Sequence, residues 1–295
     1  MKNEFSYASA FSRNLGWVTQ AEQERLRRCR VAIAGMGGVG GVYLLTLARL
    51  GIGNFTIADP DTFEVVNFNR QAGAFMSTLD LPKASTMAAM AHDINPQADI
   101  RIFPTGIDES NVDEFLQNVD LYVDGIDLFA IQPRRVVFAA CAERGIPATT
   151  VAPIGMGAAL VNFLPGKMSF EDYFRLEGYS ETDQILRFVM GLAPSGLHLG
   201  YLVEPERVSL IERRSASTAM GCQLCAGVMG TEALKILLGR GRVLAAPHAI
   251  QFDAFRNRLA HTWRPGGNNN PLQRLLFLVL QRMLRRNASP PEMPP

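Results

Sequence analysis

The sequence contains little cysteine, no excess of charge of either sign and no long hydrophobic run. Its 295 residues include four cysteines, and the formal net charge is +1. So few thiols do not make a disulfide framework, and a nearly neutral chain has no global field that would draw in DNA. No uninterrupted apolar run approaches the ~20 residues that span a bilayer, and the polar N-terminus lacks the apolar core of a secretory signal. We therefore expect a cytoplasmic globular protein that does not bind DNA.

Short apolar strands alternate with helices through the first half of the chain. The hydrophobic period and the turn residues predict strands at 31–34, 55–58, 100–104, 121–123 and 148–152, and helices at 20–28, 38–50, 83–95, 112–117 and 132–144. Repeated strand–helix units of this kind form a mostly parallel, doubly wound sheet. Ligands bind to such sheets at the carboxyl ends of the strands.

The pattern changes after residue 153. It predicts an antiparallel strand pair within 155–164, helices at 181–190 and 227–238, and a strand at 249–255. We therefore expect an α/β fold with antiparallel strands in its C-terminal half. One large domain would span 1–265, with an N-terminal arm at 1–28 and a lid or substrate region at about 166–221. The remaining segment, 266–295, begins with a linker and ends in a proline-rich tail that we expect to be disordered.

A glycine-rich segment lies between the first predicted strand and the helix that follows it. Gly35, Gly37 and Gly40 have the spacing G-x-G-x-x-G, and Gly38 is a further residue without a side chain. Glycine permits the tight turn and lets phosphate oxygens approach backbone N–H groups, while the helix N-terminus favours negative charge. Asp59 ends the second strand, where a carboxylate can bind ribose hydroxyls. The sequence thus predicts a nucleotide site, although the glycine pattern fits NAD as well as ATP.

Cationic and amide side chains follow Asp59 along the chain. Asn67 and Arg70 lie in the next segment, and Lys83 begins the following helix. Asp127 comes just after the fourth strand, at the same edge of the sheet as the glycine loop. A dinucleotide oxidoreductase needs no row of cations there. Transfer of an adenylate does, because its transition state gathers negative charge on the phosphates.

These segments resemble the ThiF/MoeB and ubiquitin-activating superfamily in their order and spacing. The resemblance rests on the glycine loop, Asp59, the N-x-x-R-Q sequence at 67–71, Lys83 and Asp127. It implies a Rossmann-like fold in which ATP adenylates a carboxylate, at the C-terminus of a ubiquitin-like or sulfur-carrier protein or of a peptide. It also implies a role for each residue: Asp59 on the ribose, Asn67 and Arg70 on the phosphates, Lys83 on the triphosphate, and Asp127 on a bridging Mg²⁺.

The N-terminal segment adds one residue to this set. Arg13, in the sequence FSRN, lies where the family carries an arginine that one subunit lends to the site of the other. The resemblance therefore implies a homodimer whose active sites are completed in trans. Phe68 and Asn69 depart from the residues often found before the arginine, a variation also present in relatives that act on tRNA-linked carboxylates.

The cysteines fall into two pairs. Cys29 and Cys141 lie in a strand entry and a helix interior, and we expect both in the core. Cys222 and Cys225 form one C-x-x-C sequence, but two thiolates fill only half of a tetrahedral zinc site. Zinc would need further ligands from His198, His248 or a second subunit, so we favour packing of both cysteines at the start of the helix at 227–238 over a zinc site. Members of the superfamily that form a thioester carry their cysteine between the Asp127 region and the C-x-x-C sequence. Because no cysteine lies between Cys141 and Cys222, the resemblance implies an acyl-adenylate without an enzyme thioester.

Two further segments have roles that the sequence leaves open. His198, in the sequence GLAPSGLHLG, is either an acid or base for the acyl acceptor or a structural histidine. The stretch 272–286 combines Leu and Phe with Arg274, Arg282, Arg285 and Arg286. A helix of this composition lies on a membrane surface or docks on protein, and we favour docking on its own subunit, a dimer mate or a partner enzyme.

Three alternatives to a carboxylate-activating adenylyltransferase stay open. The glycine pattern alone fits an NAD(P)-binding oxidoreductase. The residues before Arg70 fit an enzyme like tRNA threonylcarbamoyladenosine dehydratase. The third alternative is an inactive subunit that only presents a partner, although such a scaffold has no need of Arg70, Lys83 and Asp127 together.

Overall fold

An eight-stranded sheet runs through the molecule. A computed structural model describes residues 4–210 and 212–288, and it describes side chains as far as residue 282. The proline-rich end, 289–295, lies outside the described residues. In chain order the strands are β1 (Arg30–Ala34), β2 (Asn54–Ala58), β3 (Asp99–Phe103), β4 (Leu121–Asp124), β5 (Ala148–Ile154), β6 (Gly157–Phe163), β7 (His248–Asp253) and β8 (Arg258–Trp263). Their order across the sheet is β3-β2-β1-β4-β5-β6-β7-β8.

The first five strands are parallel, and β6, β7 and β8 are antiparallel to their neighbours. The predicted fold class is therefore confirmed. Every residue of β1 and β4 is buried, as expected for central parallel strands with helices on both faces. The order reverses between β1 and β4, so the crevice beyond their carboxyl ends is the place where a doubly wound sheet binds ligands.

Helices cover both faces of the sheet. They are α1 (Tyr7–Ala10), α2 (Gln20–Arg28), α3 (Gly40–Arg49), α4 (Lys83–Ile94), α5 (Val112–Phe115), α6 (Ile131–Arg144), α7 (Phe170–Phe174), α8 (Glu181–Leu192), α9 (Ala219–Leu238) and α10 (Pro271–Ala288). One core cluster joins α3, α4 and α9 to the sheet, and a second, rich in aromatic side chains, joins it to α5, α6, α7 and α8. The ends of α6 and α9 follow the helix-stop rule, because each is followed by a glycine with positive φ, Gly145 and Gly239.

The helix α9 is long and apolar enough, by length and composition, to cross a membrane. In this structure it is a core helix that packs against α3, β5 and β6. It begins at Ala219, with the Thr218 side chain as its N-cap, so the expectation of a helix starting near residue 227 is wrong. The N-cap signal was present in the sequence, but the glycines at 221 and 227 obscured the helical pattern.

The C-terminal helix α10 docks on α8 of its own chain. Phe277 is buried against Leu186 and Met190, and the Gln273 side chain donates to the Met190 carbonyl oxygen at 3.3 Å. Gln281 donates to the Asp183 carboxylate at 2.9 Å. Docking on its own subunit, one of the alternatives for this segment, is thus what the structure shows. The side chains of Arg285 and Arg286 lie outside the described residues.

Two predictions for the C-terminal half of the sheet need correction. The segment predicted as a strand pair, 155–164, forms the single strand β6, which pairs on one side with β5 and on the other with β7. The edge strand β8 was not predicted. Its alternation of exposed and half-buried residues includes Arg258 and Leu259 on the exposed positions, so its hydrophobic pattern is weak.

Candidate active site

The glycine loop after β1 lies directly against the turn after β4. Gly35 has φ of +88°, and a Cβ added there would clash with the carbonyl oxygen of Gly125. A Cβ at Gly40 would clash with the carbonyl oxygen of Gly35, so Gly40 keeps the loop tight but does not itself line the cleft. Gly37 and Gly38 do line it. The loop therefore presents backbone without side chains to the cleft, as the motif requires.

Asp59, at the end of β2, is buried beside this loop. Its carboxylate accepts the N–H groups of Met36 at 2.6 Å and Asp61 at 2.8 Å. Burial raises the pKa of Asp59 above its ordinary value, and these two N–H groups oppose the rise. The carboxylate thus ties the glycine loop to the segment after β2 while facing the cleft.

Lys83, the first residue of α4, extends into the same cleft. Its side chain is buried, and its Nζ lies 3.0 Å from the carboxylate of Asp61. Asp61 is 65% exposed, so its carboxylate leaves the Lys83 ammonium able to bind a second anion. A lysine held at a cleft wall by a solvated partner is well placed to bind phosphate oxygens.

Arg70 faces the glycine loop from the segment after β2. Its Nη1 donates to the carbonyl oxygen of Val66 at 3.1 Å and to Oδ1 of Asn69 at 2.9 Å, and its side chain lines the cleft beside Gly38. Asn67 does not line the cleft. Its carbonyl oxygen accepts the N–H of Arg70 at 3.1 Å, so it positions Arg70 rather than facing the ligand space.

Gln71 was not singled out as a site residue. It is buried, lines the cleft beside Gly37, and its Oε1 has no hydrogen-bond partner in the described part of the chain. A buried amide oxygen without a partner marks a place where a ligand or water is expected. Its position directly after Arg70 is the signal that could have identified it.

Asp127 lies on the exposed rim of the cleft, after β4. Its Oδ1 accepts the N–H of Phe129 at 2.9 Å. The loop that carries it is held by Arg134 of α6, which forms a buried ion pair with Asp124 at 2.8 Å and donates to the carbonyl oxygens of Ile126 and Asp127. Arg134 was missed because, in the sequence, it is one of two adjacent arginines in an ordinary helix.

The cleft contains oxygen ligands suited to Mg²⁺. Asp127 and Asp61 both line it, and Mg²⁺ bound with a nucleotide uses one or two carboxylates together with phosphate oxygens and water. Among the described residues there is no group of three or more His, Cys, Asp or Glu side chains that could hold a metal. The carboxylates present therefore fit a magnesium ion that would arrive with a triphosphate, and either could hold it.

The model of the ThiF family matches residues 11–274 of the chain. The chain belongs to the ThiF family. Curated relatives include the tRNA threonylcarbamoyladenosine dehydratase of Bacillus subtilis, 32% identical over 150 residues, and a probable molybdopterin-synthase adenylyltransferase of Porphyra purpurea, 27% identical over 289 residues. The alignments cover 50% and 90% of this chain, and the chain spans 57% and 67% of the length of these relatives. The resemblance seen in the sequence is thus confirmed.

A solved structure shares the fold. Escherichia coli MccB with ATP matches with a TM-score of 0.64 at 17% identity, over 89% of this chain and 72% of MccB. Within this ThiF-family fold, one cleft of about 1310 Å³ brings together Gly35, Gly37, Gly38, Asp59, Arg70, Lys83 and Asp127. The convergence expected of these residues is what the structure shows, and their individual roles stay predictions.

The cysteine pair of this ThiF-family chain lies inside α9, one turn from its start. Cys222 and Cys225 are fully buried, and Cys222 lies beside Gly38. Burial raises the pKa of both thiols. Cys29 and Cys141 are buried in the core, as predicted.

The region after α8 forms the far side of the cleft. Burial lowers the pKa of His198, and its Nδ1 is buried without a partner among the described residues. Tyr201 donates to the Asp253 carboxylate at 2.9 Å and accepts the N–H of Met156 at 2.8 Å. Both His198 and Tyr201 line the same cleft as the glycine loop, and the role of this region in substrate binding stays a prediction.

Arg13 lies in a short 3-10 helix, Ser12–Asn14, and is exposed. It is not among the residues that line the cleft of its own chain. This placement is compatible with a role in the site of a second subunit.

We predict that Gly35→Ala destabilises the protein and Gly37→Ala does not. Alanine at position 35 would adopt a positive φ, at a cost of about 1–3 kcal/mol, and would also clash with Gly125. At Gly37 the nearest atom to an added Cβ is Nε2 of Gln71 at 3.6 Å, so the free energy of unfolding should change by less than about 1 kcal/mol. Urea unfolding followed by circular dichroism checks this. Equal stability of the two variants would contradict the described packing.

Proposed function

We propose that this chain is an ATP- and Mg²⁺-dependent adenylyltransferase that activates a carboxylate. The observation that supports it most is the convergence of bare glycine backbone, Lys83 and Arg70 on one cleft at the carboxyl ends of β1, β2 and β4. Membership of the ThiF family adds support, because relatives are named adenylyltransferases. MccB, a microcin C7 biosynthetic enzyme, has been solved with ATP and with N-formylated MccA.

The proposed reaction needs positive charge more than it needs proton transfer. A carboxylate oxygen of the substrate attacks the α-phosphorus of ATP, a bond forms between them, and the bond from the α-phosphorus to the bridging oxygen breaks as pyrophosphate leaves. Lys83 and Arg70 would stabilise the charge that builds up on the phosphates, and Mg²⁺ held by Asp127 would supply further positive charge. Asp59 would orient the ribose.

A general base is unnecessary in this scheme. A carboxylic acid has a pKa of about 4, so the nucleophile is already ionised at pH 7. Binding and orientation of the two reactants then supply most of the rate enhancement. The role left for the protein is to hold the carboxylate in line with the departing pyrophosphate.

We also propose that the acyl group stays on the adenylate until an external nucleophile takes it. The cleft-lining thiol, Cys222, is fully buried and its pKa is raised by burial, so it is a poor thiolate nucleophile. The substrate we favour is the C-terminal carboxylate of a small ubiquitin-like or sulfur-carrier protein or of a peptide. The name of the Porphyra purpurea relative, a molybdopterin-synthase adenylyltransferase, supports this class.

A second candidate function is dehydration of threonylcarbamoyladenosine on tRNA. The Bacillus subtilis dehydratase supports it, with 32% identity over 150 residues. The far side of the cleft favours the first candidate, because the described residues that line it include apolar side chains such as Leu199, Leu202 and Val203 and no lysine or arginine that would bind an RNA backbone. Loss of one water from tRNA-borne threonylcarbamoyladenosine, measured by mass spectrometry, would favour the dehydratase.

We further propose a homodimer in which Arg13 of each subunit completes the site of the other. Its exposure and its position outside the cleft of its own chain support this arrangement. An arginine in trans would add a third positive charge beside Lys83 and Arg70.

Exchange of labelled pyrophosphate into ATP tests the proposed reaction. With Mg²⁺ and a library of N-acetylated peptides that have free C-termini, we expect exchange, and the same peptides as C-terminal amides should give none because they lack the nucleophilic oxygen. Lys83→Ala should lower exchange by about 100-fold or more. Asp61 is exposed, so loss of its partner should leave folding intact. Exposed Lys167, replaced by Ala, is the control. Equal exchange with the amides, or an unimpaired Lys83→Ala variant, would refute the mechanism.

Mixing two inactive variants tests the trans arginine. Arg13→Ala and Lys83→Ala homodimers should each bind AMPCPP with Mg²⁺ weakly. After subunit exchange, about a quarter of the sites should regain high affinity, because half of the random dimers are mixed and each has one intact site. Isothermal titration calorimetry gives the stoichiometry. No recovery in proven mixed dimers would show that Arg13 does not act in trans.

A further inference from the structure

The cleft is larger than a nucleotide site requires. Pockets for drug-sized ligands have volumes of about 300–1,000 Å³. This cleft, at about 1310 Å³, is lined by residues of α8 and α10 as well as by those around the glycine loop. There is room for a second ligand beside the nucleotide.

The added space has an apolar wall. We call this space the α8/α10 chamber. Its wall is formed by side chains of α8, of α10 and of the segment between α8 and α9: Leu186, Met190, Leu210, Leu276 and Leu280. Leu276 is 37% exposed although it faces the cleft. Apolar surface in a concave site is unfavourable in water and favours an apolar ligand.

The wall is held in place by the contacts that dock α10 on α8. Gln273 and Gln281 bond to the Met190 carbonyl oxygen and the Asp183 carboxylate, and Phe277 lies under the guanidinium of Arg187 at 5.1 Å. Leu276 and Leu280 are four residues apart and therefore share one face of the helix. The wall of the chamber is consequently held by contacts within the chain.

The same cleft is also lined by Ser195, Ser217 and Thr218 and by residues of the turn at 153–156. The Ser195 hydroxyl donates to Gln251, and the Thr218 hydroxyl donates to the carbonyl oxygen of Gly155. A peptide offers amide groups to a lining of this kind and apolar side chains to the chamber. A simple fatty acid offers apolar groups but no amide groups.

We propose that the α8/α10 chamber binds apolar side chains near the C-terminus of a peptide or protein whose terminal carboxylate is activated in the same cleft. This inference rests on the proposed function for the carboxylate, but the binding preference itself can be measured without any reaction. The C-terminal helix α10 thereby becomes part of the substrate site.

Calorimetric binding to the protein loaded with AMPCPP and Mg²⁺ tests the preference. The probes are two N-acetylated hexapeptides, identical except that one ends in two leucines and the other in two serines. We expect the leucine peptide to bind at least about tenfold more tightly, as burial of two such side chains implies. Octanoate is the third probe. Equal affinity of the two peptides, no binding of either, or binding of octanoate alone would overturn the proposal.

Variants of α10 test whether the α8/α10 chamber causes the preference for the leucine peptide. Leu276→Asp, and the milder Leu276→Gln, should abolish the difference between the peptides while leaving AMPCPP affinity unchanged. Leu275 is 62% exposed and does not line the cleft, so Leu275→Asp places the same charge on the same helix as a control. A preference retained in Leu276→Asp would also overturn the proposal. If the preference holds but no pyrophosphate exchange occurs, the adenylation proposal fails and the chamber stands.

Discussion

Two backbone turns, one after β1 and one after β4, touch each other where neither carries a side chain. Gly35 and Gly125 approach so closely that a methyl group on Gly35 would clash with the Gly125 carbonyl oxygen. The two central strands are paired along their length, and this contact lets the turns at their carboxyl ends lie directly against each other. The N–H of Met36 then reaches Asp59, and the loop after Gly125 brings Asp127 to the cleft. The nucleotide site that we propose depends on this absence of side chains.

The charges around this contact differ in how far they are already neutralised. Asp124 and Arg134 are both buried and neutralise each other, and Asp59 is held by two backbone N–H groups. Arg70 donates to neutral oxygen atoms of Val66 and Asn69. Buried charges with a partner of opposite sign or with backbone donors support the framework, since an unpaired one would be costly. Lys83 has a solvated partner and Arg70 has neutral partners, so both can still attract an incoming anion. The cleft therefore suits a triphosphate.

Local sequence predicted the parallel half of the fold because each strand there is a short, mostly apolar run between turn residues. It also predicted the convergence of the glycine loop, Arg70, Lys83 and Asp127, since the ends of parallel strands share one edge. It did not predict β8, whose residues are largely exposed, or the start of α9. Arg134 and the α8/α10 chamber depend on contacts between segments distant in sequence, and no local pattern indicates which arginine or leucine will meet the cleft.

The position of the triphosphate tests the central claim most directly. A crystal structure with AMPCPP and Mg²⁺ should place the phosphates against the N–H groups of Gly37 and Gly38, with Lys83 Nζ and Arg70 within hydrogen-bonding distance and the metal beside Asp127. A triphosphate bound away from Lys83, or a cleft that takes up NAD in preference to the ATP analogue, would contradict the account.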